Sequence, residues 1–214
     1  MEGMRLYGVE LIESGDMVCL SARNNGHFEP ESMAAWLDVA ESHEHAYMVD
    51  VGAYTGLYAL AAARHGAYVL ALEPNPNSMR RMRENMAANT HARGGVVDMP
   101  CAASDQEGHS AFTLHGRAHM TSAASLSDHG EYMVPTTTID ALCQTAAPVR
   151  AIKIDVEGYE LSVLRGAHET LSRHRPLVIA EALTTDTADE LIAHMQQYGY
   201  THAYADKRNL IFHA

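Results

Sequence analysis

The sequence has few cysteines, few basic residues and no long apolar run, and each shortage excludes a class of protein. The three cysteines, Cys19, Cys101 and Cys143, are odd in number and far apart. They predict neither a disulfide framework nor a paired-thiol zinc site, which is typical of a reducing compartment. The longest apolar stretch, residues 57–63, is too short to span a bilayer, and the N-terminus lacks an apolar core of signal-peptide length. We expect a soluble cytoplasmic protein with no membrane partner.

The charge balance is strongly negative, because 15 lysines and arginines stand against 27 aspartates and glutamates, for a formal charge of -12. Such a surface repels phosphate backbones and anionic headgroups, so nucleic acid is excluded as a partner. The 14 histidines offset this charge only where they are protonated.

The length of 214 residues and the apolar content of 47% predict a single domain with one sizeable core. It is expected to contain an N-terminal part with strands and a helix (1–45), a cofactor-binding core (46–182) and a closing helix and hairpin (183–214). A stretch at 101–150 interrupts the core. There, two short strands at 111–114 and 132–136 flank a loop rich in Ser, Ala, Gly and His, and an insertion of this length favours a role on the substrate side.

Apolar runs and helical patterns alternate along the core, which indicates an α/β protein with a mostly parallel sheet covered on both faces. Loose alternation at 4–20 predicts short strands with a turn at Gly15 and Asp16. A closing hairpin at 201–213 suggests an antiparallel strand at one edge. The other predicted strands are 46–51, 68–73, 95–99, 151–155 and 177–181, and the predicted helices are 31–42, 55–65, 77–89, 159–174 and 187–198.

Two strand ends suggest a cofactor that carries a ribose. The first strand ends at Asp50 and Gly52, and a helix follows Gly56, so a ligand is able to approach the backbone closely. Glu73 ends the second strand 21 positions beyond Gly52, close to the spacing of an acid that binds ribose hydroxyls.

The first turn favours S-adenosylmethionine over a nicotinamide cofactor. A dinucleotide site needs a third glycine and room for a diphosphate at the helix N-terminus, whereas this turn places the bulky Tyr54 there. A phosphate-free cofactor with an amino acid tail suits the turn better, and Asp50 is the candidate partner for the ammonium group of that tail.

The same residues belong to a set of motifs that resembles the FkbM family of S-adenosylmethionine-dependent methyltransferases, across roughly residues 46–182. The motifs are Val49-Asp50-Val51-Gly52-Ala53-Tyr54-Thr55-Gly56, Leu72-Glu73-Pro74-Asn75, Ala102-Ala103-Ser104-Asp105 with Gly108, Thr138-Ile139-Asp140 and Ile152-Lys153-Ile154-Asp155-Val156-Glu157-Gly158-Tyr159-Glu160. One departure is Tyr54, where the family commonly has Asn. The resemblance implies a seven-stranded class I (Rossmann-like) methyltransferase fold and, mostly, O-methylation of small molecules or sugars.

These motifs define the candidate cofactor-binding residues, which are Asp50, Gly52, Tyr54, Thr55, Gly56, Glu73, Asn75, Ala102 and Asp155. Asp155 ends the fourth core strand, where the donor methyl is expected, so Asp155 and the next acid, Glu157, are candidate catalytic residues. His115 and His119, in the insertion, are the first candidates among the histidines for a general base.

Three further polar residues of the core receive other interpretations. Glu160 is interpreted as an acid at a helix N-terminus. Lys153 lies on an otherwise apolar strand and is expected to pair with an acid, without a catalytic role. Glu181 ends the strand next to Asp155, and two such carboxylates are able to hold Mg²⁺. Because the sequence identifies no third ligand, a metal is not favoured.

Three alternatives to hydroxyl methylation remain at this stage: N-methylation, a nicotinamide oxidoreductase and a non-catalytic cofactor-binding subunit of a larger assembly. The acceptor is expected to be a small molecule or glycan. Since only the N-terminal segment and the insertion are available to build an acceptor pocket, a homo-oligomer that completes the pocket is also a prediction.

Overall fold

The structure is a computed structural model that describes residues 3–13, 15–114, 124–126, 132–144 and 147–214. The strands in these residues are β1 (Gly3–Leu6), β2 (Val9–Ile12), β3 (Tyr47–Val51), β4 (Tyr68–Leu72), β5 (Gly95–Met99), β6 (Ala102–Ala103), β7 (Gly108–Leu114), β8 (Ala124–Leu126), β9 (Tyr132–Thr137), β10 (Val149–Ile154), β11 (Leu177–Glu181), β12 (Thr201–Ala205) and β13 (Asn209–His213). The helices are α1 (Met17–Asn25), α2 (Pro30–Ser42), α3 (Leu57–Arg64), α4 (Pro76–Ala88), α5 (Ile139–Cys143), α6 (Glu160–Arg165), α7 (His168–His174) and α8 (Thr185–Gln196).

The central element is a seven-stranded sheet with the order β12-β13-β11-β10-β3-β4-β5. The five strands from β11 to β5 are parallel to their neighbours, and β13 runs antiparallel to β11. The predicted α/β class with a mostly parallel sheet is therefore confirmed. In the closing hairpin, β13 is the strand that runs antiparallel to the five parallel strands, and β12 pairs with β13 to form the outer edge of the sheet.

Helices cover both faces of this sheet because the side chains of its strands alternate between two cores. Met48 of β3 packs with Met33, Trp36 and Leu57 of α2 and α3 on one face. Its neighbour Val49 packs into the second core, with apolar residues of α5, α6, α7 and α8. Strands buried on both faces explain why the core reads as apolar runs rather than as strict alternation.

The N-terminal segment differs from the sequence prediction. Two short strands, β1 and β2, are present, but the turn between them lies at residues 7–8, and residues 17–20 belong to α1 rather than to a strand. Asp16 is the N-cap, since its side chain accepts a hydrogen bond from the Cys19 N–H at 2.8 Å, and Gly26 ends the helix with a φ of 75°. The polar residues interpreted as a turn are thus a helix cap.

The helix predicted at 159–174 is two helices, α6 and α7, which are separated at Gly166. A Cβ atom on Gly166 would lie 2.1 Å from the carbonyl oxygen of Ser104, so the break lies where the backbone packs too closely for any side chain. The short helix α5 was not predicted. The carboxylate of Asp140 in α5 accepts hydrogen bonds from the N–H groups of Glu169 and Thr170, which begin α7.

A smaller sheet of order β6-β9-β7-β8 forms from the inserted stretch. The predicted pairing of its two strands is confirmed, with β7 antiparallel to β9. The pairing of β6 with Thr136 and Thr137 connects this sheet to the end of β5. The candidate bases His115 and His119 lie outside the described residues. No helix in the described part of the chain is long and apolar enough to cross a membrane.

Candidate active site

A cavity lies beyond the carboxyl ends of β3, β4, β10 and β11, where strand order reverses between β3 and β10. Open α/β sheets bind ligands at this point, because the loops from the two halves separate there. Six of the nine predicted cofactor-binding residues line it: Gly52, Tyr54, Glu73, Asn75, Ala102 and Asp155.

Gly52 lies at the floor of the cavity, where the ends of β3, β4 and β10 meet. Its φ is 77°, and a Cβ atom there would lie 1.8 Å from the carbonyl oxygen of Asp155. The N–H groups of Gly52 and Ala53 both donate to the carbonyl of Leu72, at 2.9 and 3.0 Å. Only glycine allows both the left-handed conformation and this close approach of the backbones.

Glu73 presents a carboxylate that two loops hold in place. One of its oxygens accepts from the Tyr54 N–H and the other from the Asn75 N–H, each at 2.8 Å. Burial raises the pKa of Glu73 to about 7, although the two N–H donors lower it. Each carboxylate oxygen has a further lone pair, so Glu73 is able to accept hydrogen bonds from a ligand with adjacent hydroxyls.

The other three predicted cofactor-binding residues support the wall of the cavity from behind. Asp50 is 1% exposed, and its carboxylate accepts from the Ala59 N–H at 3.1 Å. Burial raises the pKa of Asp50 to about 6. Gly56, with a φ of 80°, packs against Met82, and the hydroxyl of Thr55 is buried with no hydrogen bond within the described ranges.

Lys153 pairs with an acid, as the sequence predicted. Its Nζ lies 2.9 Å from Asp155 Oδ2 and 4.7 Å from the ring centre of Tyr58. Burial alone would lower the pKa of Lys153, but the carboxylates of Asp155, Glu29 and Asp50 outweigh it and raise the pKa. Lys153 therefore stays charged and orients the carboxylate of Asp155 at the end of β10.

Three carboxylates meet at one end of the cavity. Oxygen atoms of Asp155, Glu157 and Glu181 all lie within 4.8 Å of one another, so the structure adds Glu157 to the pair that the sequence identified. The backbone of Glu157 adopts a left-handed φ of 55°. Three such oxygens are able to bind a hard cation. Two of these carboxylates also have cationic neighbours, since Lys153 contacts Asp155 and Arg208 Nη1 lies 3.8 Å from Glu181.

This crowding of acids raises the pKa of two of its members. Burial, followed by the charge of Asp155, raises the pKa of Glu181 to about 8 and that of Glu157 to about 7. Both groups therefore change protonation near neutral pH, where a general base is most effective. Glu160 instead accepts hydrogen bonds from the N–H groups of Val156 and Gly158, in agreement with its interpretation as a helix N-terminal acid.

The N-terminal segment contributes Met17, Phe28 and Glu29 to the cavity, and the sequence did not predict these residues. The hydroxyl of Tyr7, in the turn between β1 and β2, donates to the Phe28 carbonyl at 2.8 Å and holds the segment in place. The only local feature of the sequence here is an acidic residue, Glu29, directly before Pro30, and this pattern by itself predicts only the start of a helix.

Comparison with known proteins places these features in a family. Residues 50–201 match the model of the methyltransferase FkbM domain. The hexuronic acid methyltransferase AglP of Haloferax volcanii is 30% identical over 133 residues, which cover 61% of this chain and 54% of that protein. The chain thus spans about half the length of this curated relative.

Solved structures share the fold at low sequence identity. A methyltransferase FkbM from Methylobacillus flagellatus superposes with a TM-score of 0.58 at 18% identity, over 79% of this chain and 44% of that one. The tRNA (uracil-54, C5)-methyltransferase of Pyrococcus abyssi, in complex with S-adenosyl-L-homocysteine, gives a TM-score of 0.52 at 13% identity, over 99% of this chain and 43% of that one. At these identities the likeness shows the seven-stranded methyltransferase fold alone.

Proposed function

The chain belongs to the methyltransferase FkbM domain family, and from that premise we propose that it transfers a methyl group from S-adenosylmethionine to a hydroxyl of a sugar. The observation that carries the proposal is the three-carboxylate cluster of Asp155, Glu157 and Glu181, because a hydroxyl must lose its proton when it is methylated. The relative AglP is a hexuronic acid methyltransferase, which supports an acidic sugar as the acceptor class.

The cavity fits S-adenosylmethionine on two grounds. Glu73 offers acceptors for a ribose diol, and the bulky Tyr54 lines the cavity two residues after Gly52, where a dinucleotide would need room for its diphosphate. When bound, this cofactor supplies an electrophilic methyl group on a sulfonium. Gly52, Tyr54, Glu73 and Asn75 would hold it in the half of the cavity that faces β3 and β4.

The acid cluster supplies the proton acceptor of the reaction. When the acceptor hydroxyl is methylated, its proton would pass to a carboxylate of the cluster. Glu181 is the best candidate, because the pKa of about 8 makes its carboxylate a stronger base than an ordinary one. Lys153 pairs with the neighbouring Asp155 at 2.9 Å and holds its carboxylate at the end of β10.

The function is tested with methyl-labelled S-adenosylmethionine and three acceptors: glucuronic acid, galacturonic acid and glucose. We expect label on a uronic acid and little on glucose, in a product that is stable to mild alkali, since a methyl ether resists alkali and a methyl ester does not. Alkali-labile label would show methylation of the carboxylate and contradict hydroxyl transfer. The absence of cofactor binding by calorimetry would contradict the proposal as a whole.

The pH dependence tests the role of Glu181. A carboxylate accepts a proton only when it is ionised, so we expect kcat to rise with pH through the values of about 7 and about 8 of Glu157 and Glu181. Glu181→Gln should lower kcat by about 100-fold, the low end for loss of a general base, and remove the upper step of the profile. The exposed Glu190→Gln, on α8, is the matched control and should leave the profile unchanged.

Measuring turnover in the presence of a chelator distinguishes proton transfer to these carboxylates from catalysis by a metal ion bound to them. We expect turnover to persist in excess EDTA, because Lys153 and Arg208 already neutralise part of the cluster. A loss of activity that added Mg²⁺ restores would contradict the role of Glu181 as a base.

A further inference from the structure

Glu29 is an acid of the cavity wall that neither the sequence motifs nor the proposed acid cluster accounts for. Its side chain is 19% exposed, and its Oε2 accepts a hydrogen bond from the Tyr58 hydroxyl at 2.8 Å. Tyr58 is buried, and its ring lies against Lys153. The carboxylate of Glu29 is therefore fixed by contacts with the buried residues Tyr58 and Lys153, whereas most glutamate side chains extend into solvent.

The backbone of Glu29 is unusual as well. Its φ of 44° and ψ of 63° are left-handed values that residues with a Cβ rarely adopt. The carbonyl group of Glu29 accepts from the Met33 N–H at 2.9 Å, so the strained residue is also the start of α2. Strain of this kind persists where surrounding structure enforces it, and it is concentrated at ligand sites.

The charges around Lys153 leave room for a second cation. Lys153 Nζ lies 2.9 Å from Asp155 and 4.0 Å from Glu29, and the buried Asp50 also acts on it. One ammonium thus faces three carboxyl groups, of which Asp155 and Glu29 line the cavity and Asp50 lies behind its wall. An ammonium group of a ligand placed beside Glu29 would complete this local balance, whether or not the ligand is charged overall.

We propose that Glu29 binds the ammonium group of the methionine tail of S-adenosylmethionine, an assignment that rests on the proposed use of this cofactor. The other carboxylates of the cavity have different tasks, since Glu73 faces the ribose and the cluster of Asp155, Glu157 and Glu181 faces the acceptor. Glu29 is the remaining cavity-lining carboxylate in the described part of the chain.

This assignment replaces the expectation that Asp50 answers the ammonium directly. Asp50 does not line the cavity, and its Oδ2 accepts from the Ala59 N–H near the start of α3. Asp50 therefore acts behind the wall, as a partner of that helix and of Lys153. The acid that contacts the ligand comes from the N-terminal segment, 21 residues before Asp50.

Two ligands that differ in the tail test the assignment. S-adenosylhomocysteine carries the ammonium, whereas 5′-methylthioadenosine keeps the adenosine and the sulfur but lacks the amino acid. We expect Glu29→Gln to weaken S-adenosylhomocysteine about 10- to 100-fold by calorimetry, as for a lost charge-assisted hydrogen bond, and to leave 5′-methylthioadenosine within about twofold. Tyr58→Phe keeps the charge of Glu29 but removes the hydrogen bond that orients its carboxylate. This variant should give a smaller loss of affinity, for S-adenosylhomocysteine only.

The outcomes separate this assignment from the proposed function. An equal loss for both ligands, or no loss for either, would overturn the role of Glu29 while cofactor binding by the unchanged protein still stands. A selective loss in Asp50→Asn together with none in Glu29→Gln would return the ammonium to Asp50. Failure of the unchanged protein to bind S-adenosylhomocysteine would instead contradict the proposed function. Glu44→Gln, at an exposed position beyond α2, is the matched control and should bind both ligands normally.

Discussion

Gly52→Ala is expected to destabilise the protein by about 2–5 kcal/mol and to abolish cofactor binding. The left-handed conformation of Gly52 costs an L-residue about 1–2 kcal/mol, and overpacking a tight contact costs about 1–3 kcal/mol more. The new methyl group would lie 1.8 Å from the Asp155 carbonyl oxygen, a backbone atom that cannot rotate away. The contact is relieved only if β3 and β10 separate at their ends, which would displace Asp155 from the cavity.

A matched control separates the two costs. Gly26 has nearly the same φ, 75° against 77°, but a Cβ atom there would meet nothing within 4 Å. Gly26→Ala should therefore lose only the conformational part, about 1–2 kcal/mol, and should bind S-adenosylhomocysteine normally. Urea unfolding and calorimetry on both variants measure the difference. Equal free energies of unfolding in the two variants would contradict the close approach of Gly52 to Asp155.

The parts of the fold that the sequence predicted are those that local patterns encode. Runs of mostly apolar residues mark β3, β4, β10 and β11, because strands buried on both faces favour apolar side chains on both sides. The end of each run is marked by an acid or a glycine, so the pair of Gly52 and Glu73 was visible from spacing alone. These two residues do line the same cavity.

The parts that were missed depend on contacts between distant segments. Glu29 lines the cavity only because Tyr7, Tyr58 and Lys153 hold its segment, and none of these residues is near it in sequence. The break between α6 and α7 lies at Gly166, which packs against Ser104, a residue 62 positions earlier in the chain. For α1 a local signal existed, since Asp16 and Gly26 have the spacing of an N-cap and a C-cap, but Gly15 beside Asp16 favoured a turn.

The motif with Asp140 shows how a sequence signature serves the fold rather than the chemistry. The Asp140 carboxylate accepts three hydrogen bonds from Glu169 and Thr170, at 2.8–2.9 Å, and so caps the start of α7. Asp140 does not line the cavity. A resemblance in sequence therefore identifies residues that share a pattern, and only their placement separates those that support the sheet from those that face the ligand.

The second large effect is expected at Glu73. Glu73→Ala should weaken S-adenosylhomocysteine by about 100-fold or more, because two hydrogen bonds from ribose hydroxyls to a carboxylate are each worth about 1.5–3 kcal/mol. The change also leaves the N–H groups of Tyr54 and Asn75 without their acceptor. Loss of affinity alone would therefore not distinguish a contact with ribose from a collapse of the loop.

A comparison of adenosine with 2′,3′-dideoxyadenosine isolates the contact with ribose. The unchanged protein should prefer adenosine, and Glu73→Ala should bind both nucleosides equally, because the hydroxyls then have no carboxylate to reach. A preference that persists in Glu73→Ala would place the ribose elsewhere. The exposed Glu107→Gln, which retains the whole cavity, is the control and should keep the full preference.

The raised pKa of Glu73 provides a second test of its contact with ribose, namely the pH dependence of affinity. Hydroxyls donate most strongly to an ionised carboxylate, and burial raises the pKa of Glu73 to about 7. Affinity for S-adenosylhomocysteine should therefore weaken as the pH falls through about 7, because the proton occupies an oxygen that the ribose needs. In Glu73→Ala this step should be absent, and affinity should stay low on both sides of it. If the unchanged protein binds equally well above and below that pH, Glu73 is not the group that holds the ribose.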